Sequence, residues 1–340
     1  MPTINKGSDY FGVLTYTGDG AASKTVVDTS AVTFQPDFVW IKGRSGATDH
    51  ALYDAVRGTT KDLVSNSTAA ETTQSTGLTS FVNGGFTIGN LAKLNTSGAT
   101  YTAWCWKANG AGSSNTSGSI TTTTSVNTTA GFSVVTYTGT GANATVGHGL
   151  GVAPAMVIVK RRNSTGNWNV RHVSITAANS LYLNLTNASQ SDPTVWNSTV
   201  PTSTVFSIGT DTGVNASGGT YVAYCWAAIP GFSAFGSYTA NASADGPFIF
   251  TGFRPRWIMF KRTTSATNWY VVDTSISSYN AGTTGLYPNT SGAESTEGAL
   301  DILSNGFKCR ASSGAFNFPS GETFIYAAFA ENPTKISNAR

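Results

Sequence analysis

The chain has 340 residues and a net charge of +3, and only 11% of its residues are charged, against roughly 25% in an average soluble domain. Thr, Ser, Asn and Gly together fill 151 positions, which excludes a helical protein, because exposed helical faces are built from Ala, Leu, Glu, Lys and Arg. The 18 Phe, 13 Tyr and 8 Trp exclude a disordered chain.

Charge and hydropathy also limit the partners. The net charge is too small for a nucleic-acid-binding surface, and no apolar stretch approaches the roughly 20 residues of a membrane span. The N-terminal residues contain no apolar segment typical of a secretory signal, so we expect synthesis in a cytoplasm. Neither a disulfide framework nor a metal site is predicted, and no cofactor is expected, because the cysteines and histidines have no suitable spacing. These residues are Cys105, Cys225, Cys309, His50, His148 and His172.

In chain order, the first strong element is Pro36–Lys42, a Pro followed by an apolar run and a Lys. The same pattern recurs without a gap at Pro154–Lys160 and Pro255–Lys261. A Tyr-Thr-Gly-like segment precedes each copy, and a Ser-Gly turn followed by an apolar strand, the closing strand, ends each repeat. This arrangement indicates internal repeats of ordinary domain size. The predicted organisation is repeat one at 1–108, a Gly/Ser/Thr linker at 109–129, repeat two at 130–229 and repeat three at 230–340.

Within each repeat the pattern predicts strands and turns. Phe11 to Thr17 and Phe132 to Thr138 alternate apolar and polar residues, as expected of strands with one solvated face. Phe38 to Ile41 is continuously apolar, which is typical of a central strand buried on both faces. The one short helical candidate lies around Tyr53 to Arg57. We therefore predict an all-β fold of three tandem β-sandwich, jelly-roll-like domains, each with its own core.

The sequence offers little for catalysis. An enzyme concentrates titratable groups at one site, whereas this chain has 17 acidic residues and 3 histidines in total. Asp54 and Arg57 form the best charged constellation, and we interpret them as a structural pair. Glycoside cleavage needs two carboxyl groups at one sugar, and Glu71 has no acidic neighbour in the sequence. We predict that the protein is not an enzyme.

Three tryptophans follow polar loops rich in Asn and Thr and are the candidate ligand or interface residues. A Trp beside carboxamides can stack on a sugar ring, or it can cap a β-sandwich or lie in a subunit interface. The candidates are Trp168, Trp196 and Trp269.

Several segments resemble a domain of tailed-bacteriophage virion proteins that is common in the tail-fibre and host-adhesion chains of marine and cyanobacterial phages. Repeat one matches over nearly its whole length, repeat two departs where Arg171-His172 replaces the Asp, and repeat three is the most divergent. The resemblance implies a virion location and supplies no catalytic residue. The segments that carry the resemblance are Phe34 to Arg44, Leu52 to Gly58, Leu63 to Glu71 and Tyr101 to Ala108.

Three functions remain open at this point. The first is a non-enzymatic tail-fibre or tail-associated protein for host attachment, expected to form a homotrimer, to contact other virion proteins and to bind a host surface glycan. The second is a capsid decoration (cement) protein. The third is a polysaccharide-depolymerising tailspike. Low charge and much apolar surface are typical of subunits buried in symmetric assemblies.

Overall fold

The computed structural model describes residues 4–332, so the predicted ends of repeats one and three, 1–3 and 333–340, lie outside the described residues. The fold is nearly all β, with 43% strand and 5% helix, which confirms the predicted all-β class. Each repeat contains the same four-stranded antiparallel sheet. The strand formed by the apolar run of the Pro-to-Lys motif lies inside this sheet in every copy, beside the closing strand of its repeat.

In the described residues, repeat one has two larger sheets and a separate two-stranded pair, β5-β6. Its main sheet has the strand order β1-β9-β3-β4, and a smaller sheet has the order β2-β8-β7. The elements are β1 Phe11–Thr17, β2 Lys24–Val27, β3 Phe38–Gly43, β4 Ala51–Asp54, β5 Lys61–Asp62, β6 Thr72–Thr73, β7 Leu78–Val82, β8 Gly85–Ile88, α1 Ala92–Asn95 and β9 Thr100–Trp106, after a 3-10 helix at Gly7–Asp9.

Repeat two extends the equivalent main sheet at both edges, giving the order β10-β11-β12-β19-β14-β15-β16-β17, with β13 and β18 as a separate pair. Its elements are β10 Ser113–Asn115, β11 Thr122–Asn127, β12 Phe132–Thr138, β13 Ala144–Gly147, β14 Met156–Arg161, β15 Trp168–His172, β16 Asn179–Tyr182, β17 Gln190–Ser191, α2 Pro193–Trp196, β18 Val205–Ile208, α3 Thr212–Asn215 and β19 Thr220–Trp226.

Repeat three joins its two layers into one continuous sheet with the order β20-β27-β22-β23-β24-β25-β26-β21. Its elements are β20 Ser233–Thr239, β21 Phe248–Phe250, β22 Pro255–Arg262, β23 Tyr270–Asp273, β24 Gly282–Leu286, β25 Ser295–Leu303, β26 Gly306–Cys309 and β27 Thr323–Ala330.

The predicted linker at 109–129 contains strands β10 and β11. Strand β11 pairs with β12 along five residues, and Thr122, Thr124 and Ser125 are buried. This segment therefore extends the sheet of repeat two. The physical reason is that Thr and Ser suit the half-buried surface of a strand as well as they suit a linker.

The closing strands of repeats one and two, β9 and β19, are buried on both faces and separate two cores. In β9, Tyr101, Ala103 and Cys105 point into the core of repeat one, whereas Trp104 and Trp106 point to the opposite face. This alternation follows from the two-residue period of a strand. Repeats one and two thus each have an internal core, and their main sheets have a second buried face in addition.

A shared aromatic core covers that second face. It takes residues from all three repeats and is continuous with the interior of repeat three. Trp106 lies near its middle, with ring centroids 5.9 Å from Trp226 and 5.9 Å from Trp257. The repeats are therefore packed around a common centre, an arrangement that tandem domains with separate cores would not produce.

Equivalent contacts close the three repeats into a ring. The buried Lys that ends each Pro-to-Lys motif donates to a backbone carbonyl of a neighbouring repeat. The Lys of repeat one bonds to repeat three, that of repeat two to repeat one, and that of repeat three to repeat two. A cyclic set of head-to-tail contacts is the signature of a closed ring. The pairs are Lys42 to Ser291, Lys160 to Thr68 and Lys261 to Thr186.

Candidate functional site

The three candidate tryptophans are buried, at 0% exposure for Trp168 and 1% for Trp196 and Trp269. Trp168 Nε1 donates to the Val64 carbonyl of repeat one at 2.9 Å, and Trp269 Nε1 donates to the Tyr182 carbonyl of repeat two at 2.8 Å. Trp196 packs inside repeat two. The interpretation that sugars stack on these rings is corrected, because the structure buries the surfaces that stacking would use. Trp168 and Trp269 instead join neighbouring repeats.

His50 occupies the same place in repeat one as these two tryptophans in their repeats. Its Nδ1 accepts from Trp40 Nε1 at 2.8 Å, and its Nε2 lies 2.9 Å from the Tyr287 carbonyl of repeat three. Burial lowers the pKa of His50 to about 3. His50 is therefore a neutral structural donor that continues the same cycle.

Asp54 and Arg57 are paired, with 2.5 Å between Oδ2 and Nε and both side chains fully buried. Arg57 also donates to Glu71 at 2.9 Å and contacts the Tyr224 hydroxyl of repeat two at 3.2 Å. Burial opposes the charge of Arg57, but Asp54, Tyr224 and Glu71 together raise its pKa. The network links repeats one and two and lies inside the protein.

Glu71 completes this network at the surface of the interface. Its carboxylate is held by Arg57 and, at 3.0 Å through both oxygens, by Arg162 of repeat two. Burial tends to raise the pKa of Glu71, but the hydrogen bonds and charges of the two arginines outweigh it and lower the pKa. Glu71 is thus an ion-pairing residue between repeats.

The cysteines are buried and small. Burial raises the pKa of Cys105, and it raises that of Cys225 to about 12. Among residues 4–332, no group of three or more His, Cys, Asp or Glu side chains is arranged to hold a metal ion. In the same part of the chain no helix is long and apolar enough to cross a membrane.

A polar pocket opens in repeat two beside Asn167, which we name the Asn167 pocket. Its cavity measures about 200 Å³, and its lining includes Asn167, Asn169, Tyr182, Asp211 and Gly213. Asp211 Oδ1 accepts from the Gly213 amide at 2.7 Å and caps α3. Burial raises the pKa of Asp211, as it does that of Tyr182. The pocket therefore combines an aromatic ring, two carboxamides and one acid.

A second polar pocket opens in repeat three beside Asn268, which we name the Asn268 pocket. Its cavity measures about 330 Å³ and is lined in part by Asn268, Tyr287, Glu297 and Ala315. The Tyr287 hydroxyl bonds to Glu297 Oε1. Sequence reasoning missed both pockets, although the Asn that precedes Trp168 and the Asn that precedes Trp269 were signals for them.

An apolar groove lies where repeat two meets repeat three. It measures about 590 Å³, and its lining includes Val152, Pro154, Val173, Val200 and Pro230. Arg171 is the charged residue of this lining. Its Nη1 is bonded to the carbonyls of His172 and Ile175 at 2.6 and 2.7 Å. The groove therefore offers apolar contact with few directional groups.

A family model described as a domain of unknown function (DUF7483) matches residues 6–333. Because this match covers nearly the whole sequence, the chain belongs to that family. The single model spans all three repeats, in agreement with the shared core that makes them one packed unit. A comparison with curated proteins finds no match.

Proposed function

We propose that the protein is a non-enzymatic structural protein of a bacteriophage virion, associated with the tail and acting in host attachment through surface glycans. In this proposal each repeat is a β-sandwich domain with jelly-roll-like topology. The observation that carries it is the closed ring of three β repeats, which presents polar pockets rich in Asn and Tyr. The resemblance of repeat one to phage tail-fibre and adhesion chains supplies the virion context.

The chemistry of the pockets supports binding rather than cleavage. Hydrolysis of a glycosidic bond needs two carboxyl groups that flank one sugar. The described lining of the Asn167 pocket contains one acid, Asp211, and that of the Asn268 pocket contains one acid, Glu297. The buried acids Asp54 and Asp273 are bonded inside interfaces between repeats. This distribution favours an attachment protein over a depolymerase.

A capsid decoration protein is the second candidate. The internal ring has approximate threefold symmetry, and a shell with threefold positions could hold such a ring with matched contacts on each repeat. The predicted homotrimer stays a prediction under either proposal.

Electron microscopy of virions labelled with an antibody to this chain tests the proposal. Label at the tail would support attachment, and label over the head would favour decoration. A chain that is missing from purified virions would contradict both. Incubation of the purified protein with host polysaccharide should leave the polymer length unchanged; shortened chains would overturn the non-enzymatic assignment.

A further inference from the structure

The two polar pockets occupy the same position in their repeats. In repeat two, Asn184 accepts from the Trp168 amide at 2.9 Å and donates to Asn167 Oδ1 at 2.9 Å. In repeat three, Asn289 accepts from the Trp269 amide at 3.0 Å and donates to Asn268 Oδ1 at 2.7 Å. The same scaffold therefore orients one pocket Asn in each repeat.

This scaffold leaves a donor facing the pocket. A carboxamide whose Oδ1 accepts from a neighbour points its Nδ2 to the other side. Within residues 4–332, neither Asn167 Nδ2 nor Asn268 Nδ2 has a hydrogen-bond partner. Asn169 is 1% exposed yet lines the Asn167 pocket, and in the described part of the chain its side chain makes one long contact, 3.4 Å from Nδ2 to the Asn167 carbonyl. Oriented donors beside a Tyr ring and one acid form a built polar site.

Repeat one has different side chains at these positions. Its scaffold residue Asn66 donates to Asp49, so an acid replaces the pocket Asn. The pocket Tyr is replaced by Val64, the residue whose carbonyl accepts from Trp168. A bridging Asn aligns one further position of the two repeats. Asn95 Nδ2 donates to the Gly89 carbonyl in repeat one, and Asn215 Nδ2 donates to the Gly209 carbonyl in repeat two.

Two residues before that bridging Asn, repeat one has Lys93 and repeat two has Gly213. Lys93 is mostly covered and pairs with the buried acid Asp62. At Gly213 a Cβ would lie 2.6 Å from Asn169 Nδ2 and 2.8 Å from Asp211 Oδ1. A side chain at this position therefore projects into the site, and its absence keeps the pocket of repeat two open.

We infer that the Asn167 and Asn268 pockets are two equivalent binding sites for single residues of a neutral carbohydrate. Sugar hydroxyls both donate and accept, which matches carboxamide, phenol and carboxylate groups together. Asp211 is the charged residue in the lining of the Asn167 pocket and disfavours anionic ligands there, whereas in the Asn268 pocket Glu297 is balanced by Arg262, so the charged lining residues cancel. This combination is typical of a site for a neutral ligand, and the polar lining disfavours purely apolar ones. The assignment rests on the proposed role in glycan attachment. Two sites on one chain would also bind a polysaccharide with avidity.

The test uses the full chain and saturation-transfer NMR with glucose, galactose, mannose, N-acetylglucosamine and sialic acid, together with isothermal titration of host polysaccharide. We expect at least one neutral sugar to bind with millimolar affinity and sialic acid not to bind. The double variant Asn167→Asp/Asn268→Asp copies the Asp49 of repeat one without a change of size, and should weaken binding about tenfold. Asn90→Asp, at an exposed amide of repeat one, is the matched control.

A second variant introduces, in repeats two and three, the Lys that repeat one has at position 93. In repeat three the equivalent position is Ala315, two residues before Asn317, whose Nδ2 donates to the Ala311 carbonyl. Gly213→Lys with Ala315→Lys should abolish neutral-sugar signals. The melting temperature of the Asn-to-Asp double variant should remain that of the parent. Equal binding by the parent and the Asn-to-Asp double variant, or no binding of any sugar or polysaccharide, would overturn the assignment. Tail label on virions would then still support attachment. Conversely, pocket-dependent sugar binding by a chain missing from virions would refute only the proposed virion role.

Discussion

Removal of Arg57 should destabilise the whole ring. In Arg57→Met the buried Asp54 carboxylate loses its 2.5 Å partner, Glu71 loses a hydrogen bond within repeat one, and Tyr224 loses a contact across the interface with repeat two. Breaking a buried ion pair on one side costs about 3–5 kcal/mol, because an uncompensated charge remains. The free energy of unfolding, measured by urea denaturation at pH 7 with tryptophan fluorescence, should fall by that amount.

Two further variants separate charge from packing. Asp54→Asn with Arg57→Met removes both charges of this pair, so the double variant should recover a large part of the loss. Tyr224→Phe removes the hydroxyl that donates to Asp54 at 2.8 Å and should cost about 1 kcal/mol. A free energy of unfolding of Arg57→Met that lies within about 1 kcal/mol of the parent value would show that the ion pair does not stabilise the ring.

Three other predictions concern the same architecture. Burial lowers the pKa of Lys42 and Lys160 to about 8 and that of Lys261 to about 7. Above these values the unfolded chain binds more protons than the folded chain, so the urea midpoint of unfolding should rise between pH 7 and pH 9. The triple Lys-to-Met variant should lack this rise. Glu71→Gln should lower stability by about 2 kcal/mol at neutral pH. Because the folded pKa of Glu71 is lowered, the difference from the parent should vanish as the pH falls through that pKa, and a difference that persists in acid would contradict the ion pair. Trp106→Ala should cost about 3–5 kcal/mol in a single calorimetric transition, whereas separate transitions for separate repeats would contradict the shared core.

The repeats and their strands could be predicted because the local pattern is strong. The Pro-to-Lys motif keeps its register in all copies, and an apolar run such as Phe38 to Ile41 specifies a strand buried on both faces. What covers the second face could not be predicted. The burial of Trp106 depends on rings from repeats two and three, and a single repeat contains no information about how its neighbours are placed.

The candidate site was predicted only in part. The motif Asn-Trp marks the right loops in repeats two and three, but the sequence cannot show that the ring of Trp168 faces a neighbouring repeat while Asn167 faces solvent. The four-residue helices α1 to α3 were also not predicted, because such short turns lack an apolar period. The structure is also needed to show that Lys93 and Gly213 are equivalent positions, because their alignment depends on the matching hydrogen bonds of Asn95 and Asn215.

Competition for host cells tests the proposed attachment role most directly. Purified protein is incubated with host cells before phage is added, and free phage is counted after adsorption. We expect the parent protein to bind the cells and to reduce adsorption in a dose-dependent manner, and the Asn167→Asp/Asn268→Asp variant to do so much less. Unchanged adsorption at saturating protein, with no protein bound to the cells, would contradict a role in host attachment.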